Sequence, residues 1–324
     1  MIPIRDTIPS RYYPVTNILL IVVNVIVFMV ELSQGESLNN FIFIYGLVPG
    51  RYSIPEIASS FSTYQQLLSF LSFMFLHGSF WHLLGNMWFL YIFGDNIEDR
   101  LGHVRYLLFY FLCGLTSGLV HLFFNLESMM PTVGASGAIA GVMGAYFILY
   151  PKSKIITLIP ILFIPYFIEI PAAVFLWIWL LIQFASAALS STEAAGIAWW
   201  AHIGGFIFGV VFLKMFLLLP EWGISRTLNA ATMKKGTPHL HVARPVPETG
   251  ESDLYGVISI TPEEAVRGAR KLISIPYEYQ KKAIVLHIPA GIRDGTKLRL
   301  AGMGKKIDDY HRGDFYFTVT VKDN

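Results

Sequence analysis

The sequence predicts a polytopic α-helical membrane protein with a small soluble β-rich domain at its C-terminal end. Three observations carry that reading. Only 14% of the 324 residues are charged and 54% are hydrophobic, where soluble domains carry roughly 25% charge. The apolar residues gather into separated runs, several near the roughly 20 residues that a spanning helix needs, and mean hydropathy is +0.53. After Pro220 that composition stops, and turn residues and alternating strands take over.

In chain order, Arg5, Asp6 and Arg11 precede the first apolar run, which reaches Leu32 without a small-residue cleavage site. It reads as a retained helix, Thr16–Leu32, rather than a signal peptide. The long loop from Ser33 to about Tyr64 holds its own apolar patch at Phe41–Tyr45 and predicts a structured, partly embedded segment. A second and a third helix follow at Trp81–Phe93 and Arg105–Leu122, separated by a charged turn with Asp95, Glu98, Asp99, Arg100 and Gly102. The fourth helix is Ser136–Tyr150. Residues Ile155–Glu169 are apolar but interrupted by Pro160 and Pro165, which predicts an irregular or interfacial piece. A fifth helix over Ala172–Leu189 and a sixth over Gly196–Leu219 complete a six-span domain, residues 1–220.

Arg5, Arg11, Arg100, Arg105, Lys152, Lys154 and Arg226 fall on one side of these spans, and only Arg51 on the other. The positive-inside rule then puts both termini in the cytoplasm and the long first loop outside. Cytoplasmic termini without an organelle signal lead us to expect a prokaryotic plasma (inner) membrane. The net charge of +2 gives no footing for nucleic acid. Cys113, the only cysteine, rules out an intrachain disulfide framework and reads as a small buried hydrophobe.

Residues 221–252 contain Lys234, Lys235, Gly236, Pro238, Pro245, Pro247 and Gly250 and read as a cytoplasmic linker. From 253 to 324 the chain turns β-rich. Strand-like runs lie at Leu254–Ile260, Ala283–Ile288 and Phe315–Val321. Thr261-Pro262-Glu263-Glu264 is a helix start, with Thr as cap, Pro at the first helical position and Glu three after the cap. Asp294-Gly295 marks a turn.

Polar groups inside spanning helices are costly and signal function. Ser136 opens the fourth helix within Gly134-Ala135-Ser136-Gly137. His202 lies in the sixth, and His82 and Asn86 share a face of the second, four residues apart. A serine becomes a nucleophile when a base takes its proton, and neutral histidine suits that task. The oxyanion of a tetrahedral intermediate needs aimed donors, which His and Asn side chains can supply. Gly137, Gly141 and Gly144 on one helix, with Gly205 and Gly209 on another, allow the close approach that would join Ser136 to His202.

The set His77-Gly78-Ser79-Phe80-Trp81-His82-Leu83-Leu84-Gly85-Asn86, Gly134-Ala135-Ser136-Gly137 and Ala201-His202-Ile203-Gly204-Gly205 resembles the rhomboid intramembrane serine proteases. Glu98-Asp99-Arg100-Leu101-Gly102 is similar to that family's turn, and the resemblance covers residues 14–219. It implies a six-transmembrane-helix rhomboid fold, Ser136 as nucleophile and His202 as general base of a dyad. It also implies His82, Asn86 and the Ser136 N–H as oxyanion hole, and transmembrane protein substrates. His77, just ahead of the second helix, reads as a structural loop tether rather than a catalytic group. Two positions depart from the pattern. Ala140 stands where an aromatic residue commonly packs on the catalytic histidine, leaving Trp199 or Trp200 as substitutes. Arg51 lacks the tryptophan partner common in that family's outward loop.

The tail, with Ile288-Pro289-Ala290-Gly291, Gly295-Thr296-Lys297-Leu298-Arg299-Leu300 and Arg312-Gly313-Asp314-Phe315-Tyr316, resembles the C-terminal substrate-binding β-domain of DnaJ-type co-chaperones. That resemblance implies a cytoplasmic peptide or chaperone partner, bound by strand addition. A His-Pro-Asp tripeptide and a cysteine zinc module are both missing from the sequence. The chemistry needs no cofactor and no metal, and without His-Glu-x-x-His a membrane zinc protease is disfavoured. The competing readings are a catalytically silent relative that binds transmembrane clients and, more remotely, a transporter. His121 reads as a structural or interfacial histidine and Glu169 as interfacial. Trp177 and Trp179 read as lipid contacts, with a substrate gate as the alternative.

Overall fold

A computed structural model describes residues 2–161, 164–189, 198–220, 223–234, 241–242, 252–277, 280–306, 308 and 312–322. They form two compact units, Met1–Lys234 and Lys235–Asn324.

The first unit opens with a strand, β1 (Ile2–Asp6), and a helix, α1 (Val15–Leu32). On α1 the inward positions are Thr16, Asn17, Leu20, Asn24, Phe28 and Glu31, and Ile18, Leu19, Val22, Val25, Ile26 and Met29 face out. The polar residues are therefore the buried ones, the reverse of a soluble amphipathic helix, as lipid on the outer face requires. Asn17 earns its place by reaching two partners. Its amide donates to the Leu90 carbonyl at 3.0 Å and accepts from the Tyr106 hydroxyl at 2.7 Å.

The expected structured loop is a set of short helices: α2 (Leu38–Tyr45), α3 (Gly50–Ser53), α4 (Pro55–Ala58) and α5 (Thr63–Ser72). Helix α5 starts on a capping box between Ser62 and Gln65. Arg51 is fully buried. Its guanidinium donates to the carbonyls of Phe43 and Ile44 near the end of α2 and lies 3.7 Å from the Phe61 ring centre. An unpaired charge there would be costly; carbonyls at a helix C-terminus and an aromatic face compensate it.

The long helices are α6 (Phe80–Leu101), α7 (His103–Phe124), α8 (Ser136–Leu149), α9 (Ala172–Leu189) and α10 (Trp199–Leu218). With α1 they overlap the six segments expected as spans; the predicted start of the last, at Gly196, lies outside the described residues. The expected charged turn is not a turn: Asp95, Glu98, Asp99 and Arg100 continue α6 as helix to Leu101, and only Gly102, at φ +80°, breaks the chain before α7. Among the described residues α1, α7, α9 and α10 are long and apolar enough to cross a membrane. Helix α6 carries its acidic residues inside its last two turns, and α8 has 14 residues, about 21 Å of rise, short of a roughly 30 Å hydrocarbon core.

Residues 155–169 are not irregular. They belong to an antiparallel hairpin, β2 (Lys154–Ile161) with β3 (Ile164–Pro171), which β1 extends in the order β1-β2-β3. The β-branched run Ile155-Ile156-Thr157 favours strand. The two prolines pair across the rung next to the last described one, Ile161 with Ile164, so their missing N–H groups fall near the end of the ladder, where strands tolerate them.

The segment read as linker begins instead with a helix, α11 (Gly223–Thr232). The Thr232 carbonyl accepts from the Tyr13 N–H at 2.9 Å, and its hydroxyl lies 2.7 Å from His103 Nε2. These bonds place the chain up to Lys234 with the helical unit.

The second unit contains a short strand β4 (His241–Val242), β5 (Leu254–Ile260), helix α12 (Pro262–Arg267), β6 (Ala269–Tyr277), β7 (Gln280–Ile288), β8 (Lys297–Leu300) and β9 (Phe315–Val321). Its two three-stranded sheets run β4-β6-β7 and β5-β9-β8, with β5 and β9 parallel. The predicted Thr261–Glu264 capping box forms at 2.9 and 3.2 Å. Gly295 adopts φ +77°, as the Asp294-Gly295 turn demands. Strands β4, β6 and β8 were not legible as strands in the sequence. Alternation buries Leu254, Ile258 and Ile260 of β5 against Phe315, Phe317 and Val319 of β9.

Candidate active site

Ser136 is the first residue of α8, and the loop before it is held from three sides. Leu47 and Thr132 exchange backbone hydrogen bonds at 3.0 and 2.8 Å, and the Gly134 N–H donates to the Phe73 carbonyl at 2.8 Å. His121 on α7 places Nε2 2.8 Å from the Thr132 hydroxyl, so the histidine read as structural ties this loop down. Gly134 adopts φ +129°, and a methyl group added there would meet His82 Nε2 and Asn86 Nδ2. The same bare backbone that permits the turn therefore lets α6 present both donors beside the Ser136 loop.

Helices α8 and α10 cross at backbone contact. A methyl group on Gly205 would collide with the Gly137 carbonyl, and Ala140 lies alongside. Ala140 is fully buried at this crossing.

The approach brings His202 Nε2 to 2.7 Å from Ser136 Oγ. On the other side of the ring, His202 Nδ1 is 2.7 Å from Gln183 Oε1 on α9. Aromatic packing comes from Trp179, whose ring centre is 5.9 Å from that of His202, and from Trp199 edge-on at 6.1 Å. Trp200, the other expected substitute, stacks on Phe124 at 4.0 Å and does not reach the histidine. Trp177 makes an edge contact with Phe147 at 6.0 Å and is half exposed.

The structure thus brings together Ser136, His202, His82 and Asn86. Asn86 is buried, and its Nδ2 has no hydrogen-bond partner among the described residues. The His77 ring packs edge-on against that of His82, ring centres 5.2 Å apart, and the His77 backbone N–H donates to Glu31 Oε1 at 2.8 Å. Glu169, read as interfacial, pairs with Lys154 at 2.5 Å with both side chains half exposed. Among the described residues no three His, Cys, Asp or Glu side chains cluster as a metal would require.

Gln183 is not among the site residues the sequence predicts, and Trp179 reads there as a lipid contact or gate, not as a neighbour of His202. The signal was present: Gln183 carries the only amide in the apolar run of α9, and an intramembrane amide demands a partner.

Residues 64–219 match the family model of the rhomboid domain, and residues 255–324 match that of the DnaJ C terminal domain. Rhomboid protein 1, mitochondrial, of Saccharomyces cerevisiae is 30% identical over 173 residues, which are 52% of this chain and 45% of that protein. RHOMBOID-like protein 6, mitochondrial, of Arabidopsis thaliana is 31% identical over 165 residues, 49% of this chain and 46% of its own. RHOMBOID-like protein 2 of the same plant is 32% identical over 181 residues, covering 53% and 50%. The chain spans about half the length of these curated relatives. It is an integral membrane protein with a rhomboid domain, followed by a DnaJ C-terminal domain.

Proposed function

We propose that this rhomboid-domain chain is an intramembrane serine endopeptidase, hydrolysing peptide bonds in or near transmembrane segments of membrane proteins. The observation that carries the reading is the 2.7 Å contact of Ser136 Oγ with His202 Nε2, beside a buried amide donor with nothing else to bind. Ser136 Oγ attacks the scissile carbonyl carbon while its proton passes to His202 Nε2. The carbonyl oxygen takes up the electron pair and is held by His82, Asn86 and the Ser136 N–H. As the intermediate collapses, the C–N bond breaks and His202 gives its proton to the leaving amine. Water, deprotonated by the same nitrogen, then attacks the acyl-enzyme, releasing a carboxylate and restoring the serine.

The rest of the reading follows the sequence. Six spans put both termini on the basic, cytoplasmic side, in a prokaryotic plasma membrane; two of the relatives above are named mitochondrial, so fractionation of the native cell decides that point. The C-terminal unit takes a cytoplasmic peptide or chaperone partner by strand addition.

The test is cleavage of a model transmembrane substrate in detergent by the wild type, Ser136→Ala and His202→Ala. The wild type should cleave, and each variant should lose about 1000-fold or more. A wild type without activity, beside an active rhomboid control, would favour a silent, client-binding relative.

A further inference from the structure

We infer that Gln183 is the positioning residue of His202, the third member of what the sequence alone offered as a dyad. The inference rests on the protease reading above and adds a residue to it.

The argument is one of donors and acceptors. A neutral imidazole carries one N–H, and which nitrogen bears it is set by the partner of the other. Ser136 can give up its proton only to an unprotonated Nε2, so the N–H must sit on Nδ1. Gln183 Oε1 lies 2.7 Å from Nδ1, and a carbonyl oxygen can only accept. The orientation of the amide is fixed in turn, because Gln183 Nε2 points at the Trp179 carbonyl at 3.4 Å. Reversing the amide would set its NH2 group against the Nδ1–H and its oxygen against a carbonyl.

The chain Trp179 carbonyl, Gln183 amide, His202 ring, Ser136 hydroxyl therefore has one consistent proton assignment, and it leaves Nε2 free to act as base. Gln183 and Trp179 lie four apart on α9, on one face. That face supplies both the hydrogen bond and the ring packing that Ala140 does not give. Gln183 itself is buried. A neutral amide holds the ring without adding a charge to a low-dielectric interior, where an unpaired carboxylate would be costly.

Kinetics and histidine tautomerism in detergent test the inference, comparing wild type, Gln183→Met and Gln183→Glu. Methionine keeps the length and removes the acceptor; glutamate keeps an acceptor at the same reach. Gln183→Met should lower kcat about 10- to 100-fold, the loss common when the outer partner of a functional histidine is removed, with KM unchanged. Gln183→Glu should recover most of it. With 15N-labelled histidine, the His202 signal, assigned by its loss in His202→Ala, should report an Nδ1–H tautomer in wild type and a mixture in Gln183→Met. Wild-type kcat and an unchanged tautomer in Gln183→Met would overturn the inference and leave the protease reading standing. Equal loss in both variants would also overturn it, marking Gln183 as packing. If the wild type itself does not cleave, the protease reading fails instead.

Discussion

Two clusters of polar groups at different points on α6, each pairing histidine with other polar side chains, differ in how they are satisfied. Around Glu98, the carboxylate and the His103 ring are fully used. The two carboxylate oxygens accept the Thr16 and Asn17 N–H groups at 2.8 Å, where α1 begins, and His103 Nδ1 closes on the same carboxylate. His103 Nε2 goes on to the Thr232 hydroxyl. A carboxylate over a helix N-terminus, fully bonded, is a joint: it fixes α1, α6, α7 and α11 to one another. Around Ser136, by contrast, Asn86 Nδ2 is buried with no partner among the described residues, and Gly134 lies against His82 Nε2. A donor left unpaired in a buried place costs stability. Such strain concentrates where the missing partner is a reacting group. The contrast is between a carboxylate with both oxygens bonded and an amide donor left open beside Ser136.

The comparison can be broken by exchanging its two ends. Asn86→Ala should lower kcat by about 100- to 1000-fold, the loss typical of one oxyanion donor, without lowering the thermal midpoint in detergent. Glu98→Ala should do the reverse, costing about 3 kcal/mol or more of stability by orphaning a buried, bonded cluster. Inactivity of Asn86→Ala through unfolding would erase the distinction.

A second prediction sharpens the contrast between the units. Phe317, fully buried and stacked on Phe315, anchors the C-terminal core, and Phe317→Ala should cost that unit about 3 to 5 kcal/mol. Limited proteolysis should then cut after Lys234 while cleavage of a generic substrate stays within about twofold, because the two units fold on separate cores. The smallest effect is expected at Arg51. Arg51→Ala removes the carbonyl bonds near the end of α2 and the stack on Phe61 and should cost about 1 to 3 kcal/mol, seen as a lower melting temperature with kcat kept.

What the sequence made legible follows the same division. Six apolar runs, the Ser136, His202, His82 and Asn86 set and the capping box at Thr261 are local signals, written in composition and spacing. The hairpin Lys154–Pro171 escaped because two prolines argue against a strand unless their pairing is known. Helix α11 escaped because its anchors, Tyr13 and His103, are distant in sequence. Gln183 escaped for a third reason: a single amide in an apolar helix announces that it has a partner but not which one. Ala140, read as a loss of support for the histidine, lies at the crossing of α8 and α10, and the ring is contacted instead by Trp179 and Gln183 of α9.

The central claim is that Ser136 is the nucleophile, and covalent trapping tests it most directly. Purified wild type treated with a fluorophosphonate should carry one adduct, mapped by mass spectrometry to Ser136, and Ser136→Ala and His202→Ala should carry none there. A wild type left unmodified while an active rhomboid is labelled, or an adduct on another serine, would contradict the account.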